Sequence, residues 1–468
     1  MQDFMPRPLL IVLCALAPVV TGCASPIRST PSLPPPRTLG LPPAEPAGPA
    51  GLNNRSSPIS DVNERDARPG EAVTLDGAIR RVLANSPDLA AAAEAVRARE
   101  GDARQAALWP NPDLIGEAEN FGGTGDQQSF ETAEYTVSLA QPIDVSGKVR
   151  RRSTAADYER RLSGWDYETT RLDLITSTRK AYADLVAAQR NVELTRELAR
   201  LADDLAAAVG ARVQAGKVSP VEATRIEVVR SATRAEALRA EQELSTARAA
   251  LAALWGDAGS PVGWATEESQ VDAGMPPSST LESLLAGAPE AARWSDEIAL
   301  REAEFDLARA TAFPDVTASL GARRFAENDD YAFVAGLSVP LPVFDRNQGA
   351  IAAATSRRTE VERRRAAFLA RQRADFQAAY DDVRRAEISV RSLDDRIIPS
   401  AQSVFTATTI GYQAGKFSLI DLLDAQRTLF EAQVQGVEAR AALTKARADL
   451  ERLIARPVEA AQSSNTGG

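Results

Sequence analysis

Histidine is absent from this 468-residue chain, and methionine occurs only at Met1, Met5 and Met275. Without imidazole, most zinc and copper sites are excluded, together with His-dependent nucleophile triads and general bases. So few thioethers leave no methionine path for copper. No Gly-rich phosphate loop and no nucleophile motif is found, so neither an enzyme nor a bound cofactor is expected. After the first 22 residues no apolar run approaches the roughly 20 residues that a helical membrane span needs. Acidic residues outnumber basic ones, 64 to 54, for a formal net charge of −10. That balance argues against nucleic acid, since phosphate binding requires a basic face. Cysteine is confined to Cys14 and Cys23.

Those two cysteines sit in the first informative segment. Arg7 precedes the apolar run Pro8–Val20, which ends in Val20-Thr21-Gly22-Cys23. A basic start, a short apolar stretch and small residues before a cleavage point predict a secretory signal over 1–22. Cys after Thr-Gly is similar to a lipoprotein signal, in which that Cys becomes the lipid-bearing N-terminus; the alternative is an ordinary signal with a chance Cys. Cleavage removes Cys14 and leaves one Cys, with no internal disulfide. Ala24-Ser25, without Asp, resembles sorting to the outer membrane. Residues 23–72, with Pro34-Pro35-Pro36, read as an extended tether, and 457–468 as a disordered tail.

The remainder divides into two halves, 73–270 and 271–456. Gln214-Ala215-Gly216-Lys217 matches Gln413-Ala414-Gly415-Lys416, and Asn111-Pro112-Asp113-Leu114 matches Phe313-Pro314-Asp315-Val316. Leu139-Ala140-Gln141-Pro142 matches Leu337-Ser338-Val339-Pro340 at a similar offset of about 200 residues. Each half predicts the same series. A helix covers Thr74–Leu108, or Thr280–Ala312. Two strands follow, Pro112–Phe121 and Ala133–Pro142, or Pro314–Ala326 and Tyr331–Pro340. A very long helix covers Lys148–Gln214, or Asn347–Gln413 with a kink at Pro399. Gly216 or Gly415 closes it, and a helix returns over Pro220–Trp255, or Leu419–Ile454. Tyr135, Val137 and Leu139 alternate with Thr136, Ser138 and Ala140, as strand residues do. Leu422, Ala425, Leu429, Ala432, Gly436, Ala439, Leu443, Ala446, Leu450 and Leu453 form a heptad seam of alternating large and small residues.

Four strands with an apolar face cannot close into a barrel, and an open edge is not viable in hydrocarbon. Membrane barrels begin at about eight strands. Three copies supply twelve, so the predicted fold is mainly α: a trimeric tunnel of long coiled coils with a small membrane β-barrel, four strands per protomer. In the alternative, the strands pack on helices in a soluble protein.

Several motifs point to a family. Trp109-Pro110-Asn111-Pro112, Gln141-Pro142-Ile143-Asp144, Pro340-Leu341-Pro342-Val343-Phe344-Asp345-Arg346-Asn347-Gln348-Gly349 and Tyr412-Gln413-Ala414-Gly415, within the twice-given element order, resemble the TolC-type outer-membrane efflux family. The long Pro-Leu-Pro run, with Val-Ser-Gly-Lys at 145–148, is most similar to the heavy-metal branch of cobalt-zinc-cadmium exporters. The resemblance implies a homotrimeric export duct in the outer membrane. Its implied partners are outer-membrane lipid, a periplasmic adaptor and an inner-membrane pump of the resistance-nodulation-division class. It also implies an aperture at the hairpin tips, ringed by Asp421 and Asp424, and a latch joining Glu222 to Tyr412 and an Arg. Phe417 stands at the Arg position, which breaks or rebuilds the latch; Arg225 is a substitute partner. A ring of carboxylates attracts cations, so neutralising Asp421 and Asp424 is expected to lower cation selectivity.

Each of these residues also has a structural reading. Ser219-Pro220-Val221-Glu222 reads as a capping box, and Ser418 with Asp421 caps the last helix. Asp424 and the Arg runs 150–152 and 363–365 read as solvated faces, the latter with lipid head groups as the functional alternative. Tyr135, Tyr331 and Phe333 suit a membrane interface or packing on helices. Multidrug efflux or type I secretion is the alternative cargo class, and a periplasmic coiled-coil adaptor lipoprotein is the second alternative.

Overall fold

The computed structural model describes residues 72–259, 261–266 and 275–458. The signal, Cys23 and the Pro-rich segment lie outside the described residues. Thr74 caps α1 (Leu75–Asn85), its Oγ1 accepting from Gly77 N at 3.1 Å. α2 (Pro87–Ala106) begins directly afterwards. The single helix expected over Thr74–Leu108 is therefore two. Ser86 is extended at ψ 124° because the ring of Pro87 excludes helical geometry from the residue before it. The helix expected over Thr280–Ala312 is corrected in the same way. It divides into α5 (Ser278–Glu282), a 3-10 turn at Leu285–Gly287 and α6 (Pro289–Thr311), with Ala288 extended before Pro289.

α3 (Lys148–Gln214) has 67 residues and extends roughly 100 Å at 1.5 Å per residue. α4 (Pro220–Ala253) returns along it. The matching pair is α7 (Gln348–Ser392) and α8 (Ile398–Gln413), followed by α9 (Leu419–Ile454). A π-helical turn, Leu393–Ile397, separates α7 from α8. Pro399 accounts for it: proline lacks an N–H and its ring displaces the carbonyl four residues back, so the ladder widens rather than breaks.

Along α9 the seam is buried at Leu422, Ala425, Leu429, Ala432, Gly436, Ala439, Leu443 and Leu450, while Ala446 and Leu453 are half-buried. A 3.6-residue helix drifts from a strict seven-residue repeat, so the buried set passes to Ala448 and Ile454. A Cβ at Gly436 would lie 2.9 Å from Ile398 Cδ1, so the absence of a side chain lets α8 and α9 approach closely. Phe376 and Val383 of α7 pack with Leu443, Leu450 and Ile454 of α9. Val458 joins that cluster, so the chain expected to be a disordered tail from Pro457 is still packed there.

The strands are β1 (Asp113–Glu119), β2 (Glu134–Ile143), β3 (Val316–Phe325) and β4 (Tyr331–Ser338). They form one antiparallel sheet in the order β1-β2-β3-β4. β1 and β4 are its edges. Below the sheet, Lys148 Nζ lies 3.0 Å from Asp315, tying the start of α3 to the entry of β3.

Asp144 starts the longest helix. Its carboxylate accepts from Lys148 N and Val149 N, both at 2.8 Å. Burial acts to raise its pKa, but the backbone donors from Val149 to Ser146 outweigh this and hold it below the ordinary value. A depressed carboxylate contributes stability that is complete above its unfolded pKa, about 3.9, and is lost as pH falls through the lower folded value. Asp144→Ala is expected to lose about 1 kcal/mol at neutral pH, the usual worth of a cap. The difference should shrink as the medium is acidified below about pH 4. Thermal unfolding in detergent across that range measures both; equal melting of variant and parent at neutral pH would remove the capping role.

Candidate functional site

The candidate functional residues fall in two regions: the sheet and the hairpin tips. Directly opposed residues share a face of a sheet. Leu114, Leu139, Leu320 and Ala335 form one rung, and Gly116, Val137, Ala322 and Phe333 the next. Tyr135, Arg324 and Tyr331 follow on the same face at the loop end. This apolar face is open: Phe333 is 85% exposed, Leu337 77% and Leu114 76%. The opposite face carries Asp113, Glu117, Glu119, Glu134, Thr136, Ser138, Ser319 and Arg323. Arg323 donates to Thr136 Oγ1 at 2.9 Å, Glu134 at 2.6 Å and Glu119 at 3.0 Å, crossing three strands. A water-soluble sheet does the reverse, packing its apolar face on helices. Tyr135 and Tyr331 suit the boundary between hydrocarbon and water, and Phe121 stacks on Phe130 in the β1–β2 loop, centroids 5.3 Å apart.

At the tips, Gly216 (φ +65°) and Gly415 (φ +74°) occupy the left-handed region, where a side chain costs roughly 1–2 kcal/mol. Lys217 N donates to Arg212 O at 2.9 Å and Lys416 N to Gly411 O at 2.8 Å, closing the last turns of α3 and α8. Ser418 and Asp421 form a complete capping box: Asp421 N donates to Ser418 Oγ at 3.3 Å, and Ser418 N to Asp421 Oδ2 at 2.8 Å. The backbone and side-chain donors of Ser418 hold the Asp421 carboxyl below its usual range. The box expected at Ser219 is incomplete. Ser219 Oγ accepts from Val221 N at 3.3 Å, while Glu222 N is taken by Ser219 O at 3.0 Å. That i→i+3 bond occupies the donor that the box requires.

Asp424 is not a lone carboxylate, because Arg427 donates to it at 2.8 Å. Tyr412 is buried among Val209, Ile226, Leu419 and Leu422, with the Arg212 guanidinium 4.8 Å above its ring. Its hydroxyl is buried without a hydrogen-bond partner, so no Glu222–Tyr412 bond is formed here. Among the described residues Glu222 and Arg225 form no ion pair with each other. Phe417 lays its ring against Gly411. Sequence reasoning missed Arg427 and Arg212; the three-residue spacing of Asp424 and Arg427 was the available signal. Arg152, expected on a solvated face, donates to Ala106 O and Leu108 O, both at 2.9 Å, and closes the end of α2. Among the described residues no group of His, Cys, Asp and Glu is placed to hold a metal ion. None of the described helices is long and apolar enough to cross a membrane.

Comparison with known proteins bears on both regions. The family model described as "Outer membrane efflux protein" matches residues 78–257 and 280–456. The cobalt-zinc-cadmium resistance protein CzcC of Cupriavidus metallidurans is 32% identical over 386 residues, covering 82% of this chain and 90% of that protein. The pyoverdine export outer membrane protein OpmQ of Pseudomonas aeruginosa is 26% identical over 407 residues, covering 80% of this chain and 83% of its own length. Among solved structures, the outer membrane protein VceC of Vibrio cholerae superposes with a TM-score of 0.68 at 21% identity, over 81% of this chain and 95% of that one.

Proposed function

Because this chain belongs to the outer membrane efflux protein family, we propose that three copies close their four-stranded sheets into a twelve-stranded barrel in the outer membrane and continue below it as a helical duct. The observation that carries this reading is the sheet itself: an exposed apolar face, a charged and hydroxylated face behind it, and two unpaired edges. Lipid covers the first, water in the lumen solvates the second, and neighbouring copies complete the third. The two segments matched by the family model support an internal duplication, 73–270 with 271–456. Residues 1–22 act as the export signal, and the lipid on Cys23 adds an anchor to the same membrane.

The duct is passive and works with a periplasmic adaptor and an inner-membrane pump of the resistance-nodulation-division class, which supplies the driving force. Its cargo is a heavy-metal cation of the cobalt, zinc or cadmium type. The likeness to CzcC over 90% of that protein supports this, and cargo needs no chelating residues in a conduit that only conducts. Likeness to OpmQ favours a second reading, export of a small organic molecule. A deletion strain challenged with zinc, cobalt, cadmium, nickel, copper and silver salts, and with drugs and detergents, separates the two. Loss of tolerance to particular metals, restored by the gene, is the expected result; sensitivity to organic compounds alone overturns the metal assignment.

A further inference from the structure

Between β4 and α7 the chain runs through Val339–Asn347, and the apolar side chains of this arm are largely exposed among the described residues. Leu341 is 80% exposed and Phe344 91%, with Val339 and Val343 also open. The arm nevertheless has a formed shape. Val343 N donates to Leu341 O at 2.9 Å, Arg346 Nε to Pro342 O at 3.2 Å, and Gln348 Nε2 to Phe344 O at 3.2 Å. Asn347 Nδ2 donates to Ala308 O at 2.6 Å and anchors the arm to the end of α6. Pro340 and Pro342 fix two further φ angles. Large apolar groups held on an ordered scaffold mark a contact surface whose ordering entropy has already been spent.

At the other edge of the sheet there is a recess. A cleft of about 590 Å³ opens between the end of α2 and the start of α3, with Trp109, Val149 and Tyr158 as its apolar lining and Arg150, Asp157 and Arg161 as its charged rim. Trp109 on its border is largely exposed, and Gln141 Nε2 holds the following Pro110 carbonyl at 3.0 Å. Strand direction brings arm and cleft together. β1 and β4 run antiparallel, so when β4 of one copy pairs with β1 of the next, Ser338 at the end of β4 comes beside Asp113 at the start of β1. The chain beyond Ser338 is the arm, and the chain before Asp113 is Trp109–Pro112.

We propose that the Val339–Phe344 arm of each copy docks through Leu341 and Phe344 into the cleft bordered by Trp109 of the neighbouring copy, sealing the duct where the barrel meets the helices. This rests on the barrel closure proposed above and assigns the occupant of a specific cleft within it.

The test co-expresses two chains with tags of different size, one carrying Phe344→Cys and the other Trp109→Cys, with each variant alone as a control. A short thiol-to-thiol crosslinker applied to outer membranes is expected to give a species containing both tags that neither control gives. Trimers that survive mild-detergent electrophoresis without any mixed crosslink overturn the docking and leave closure standing. Absence of trimers from the parent protein overturns closure, and the docking with it. Independently, Leu341→Asp with Phe344→Asp is expected to abolish the heat-resistant trimer while the helical circular dichroism is retained. Heat resistance like that of the parent overturns the docking.

Discussion

Arginine at Leu320 is expected to abolish the assembled outer-membrane protein, whereas arginine at the adjacent Ser319 is expected to leave it intact. Leu320 lies midway along β3, paired with Leu139 on one side and Ala335 on the other, on the exposed apolar face. An arginine at the midplane of a barrel's lipid face costs about 2–4 kcal/mol. In the proposed trimeric barrel three copies would carry roughly 6–12 kcal/mol, comparable with the whole stability of an ordinary domain. Ser319 points to the opposite face, beside Ala140 and Gly336. There an added cation meets water and a surplus of carboxylates. Only a weak 3.4 Å bond from Ser319 to Gly336 O is lost. Heat-modifiable migration on gels and urea unfolding in vesicles read the contrast. Equal tolerance of both substitutions would contradict lipid at the Leu320 face; a reversed order would indicate a water-soluble sheet.

The long elements were legible because their ends are marked locally. α3 and α9 have the bounds expected from sequence, since Gly216, Gly415 and Ser418 are local stop and start signals that need no tertiary partner. The strands were legible within about two residues from alternation bounded by Gly and Pro. The breaks at Ser86-Pro87 and Ala288-Pro289 were also written in the sequence, but the helical composition on both sides masked them. The charged contacts were not legible. Arg323 reaches Glu119 across three strands, and Arg152 reaches carbonyls at and just past the end of α2, more than forty residues away. No local spacing encodes such a meeting. The tip residues carry local bonds that the resemblance does not describe. Glu222, Asp421 and Asp424 were assigned by resemblance to an aperture, while short-range bonds in this chain engage the Glu222 amide and the two aspartates locally.

That difference decides where cation preference should arise. On the polar face of the sheet, Asp113, Glu117, Glu119 and Glu134 stand against the single guanidinium of Arg323. Glu119 and Glu134 are paired with it, and Asp113 and Glu117 are exposed. In a closed barrel these line the lumen three times over. At the tips, Arg427 offsets Asp424, and Lys416 lies in the connection just before the helix that carries Asp421. The local field there is weakened, although Asp421 itself remains ionised. Asp113→Asn with Glu117→Gln is therefore expected to lower cation over anion preference more than Asp421→Asn with Asp424→Asn. Reversal potentials of the reconstituted channel in a potassium chloride gradient measure this. The gradient should be run at low ionic strength, because at about 0.15 M the screening length is near 8 Å and the lumen charges are damped. A larger shift from the tip pair would mean that constriction outweighs charge number, since a narrow mouth concentrates the field of even one unpaired carboxylate per copy. The barrel would then be an indifferent exit, with discrimination made before the cargo reaches the membrane.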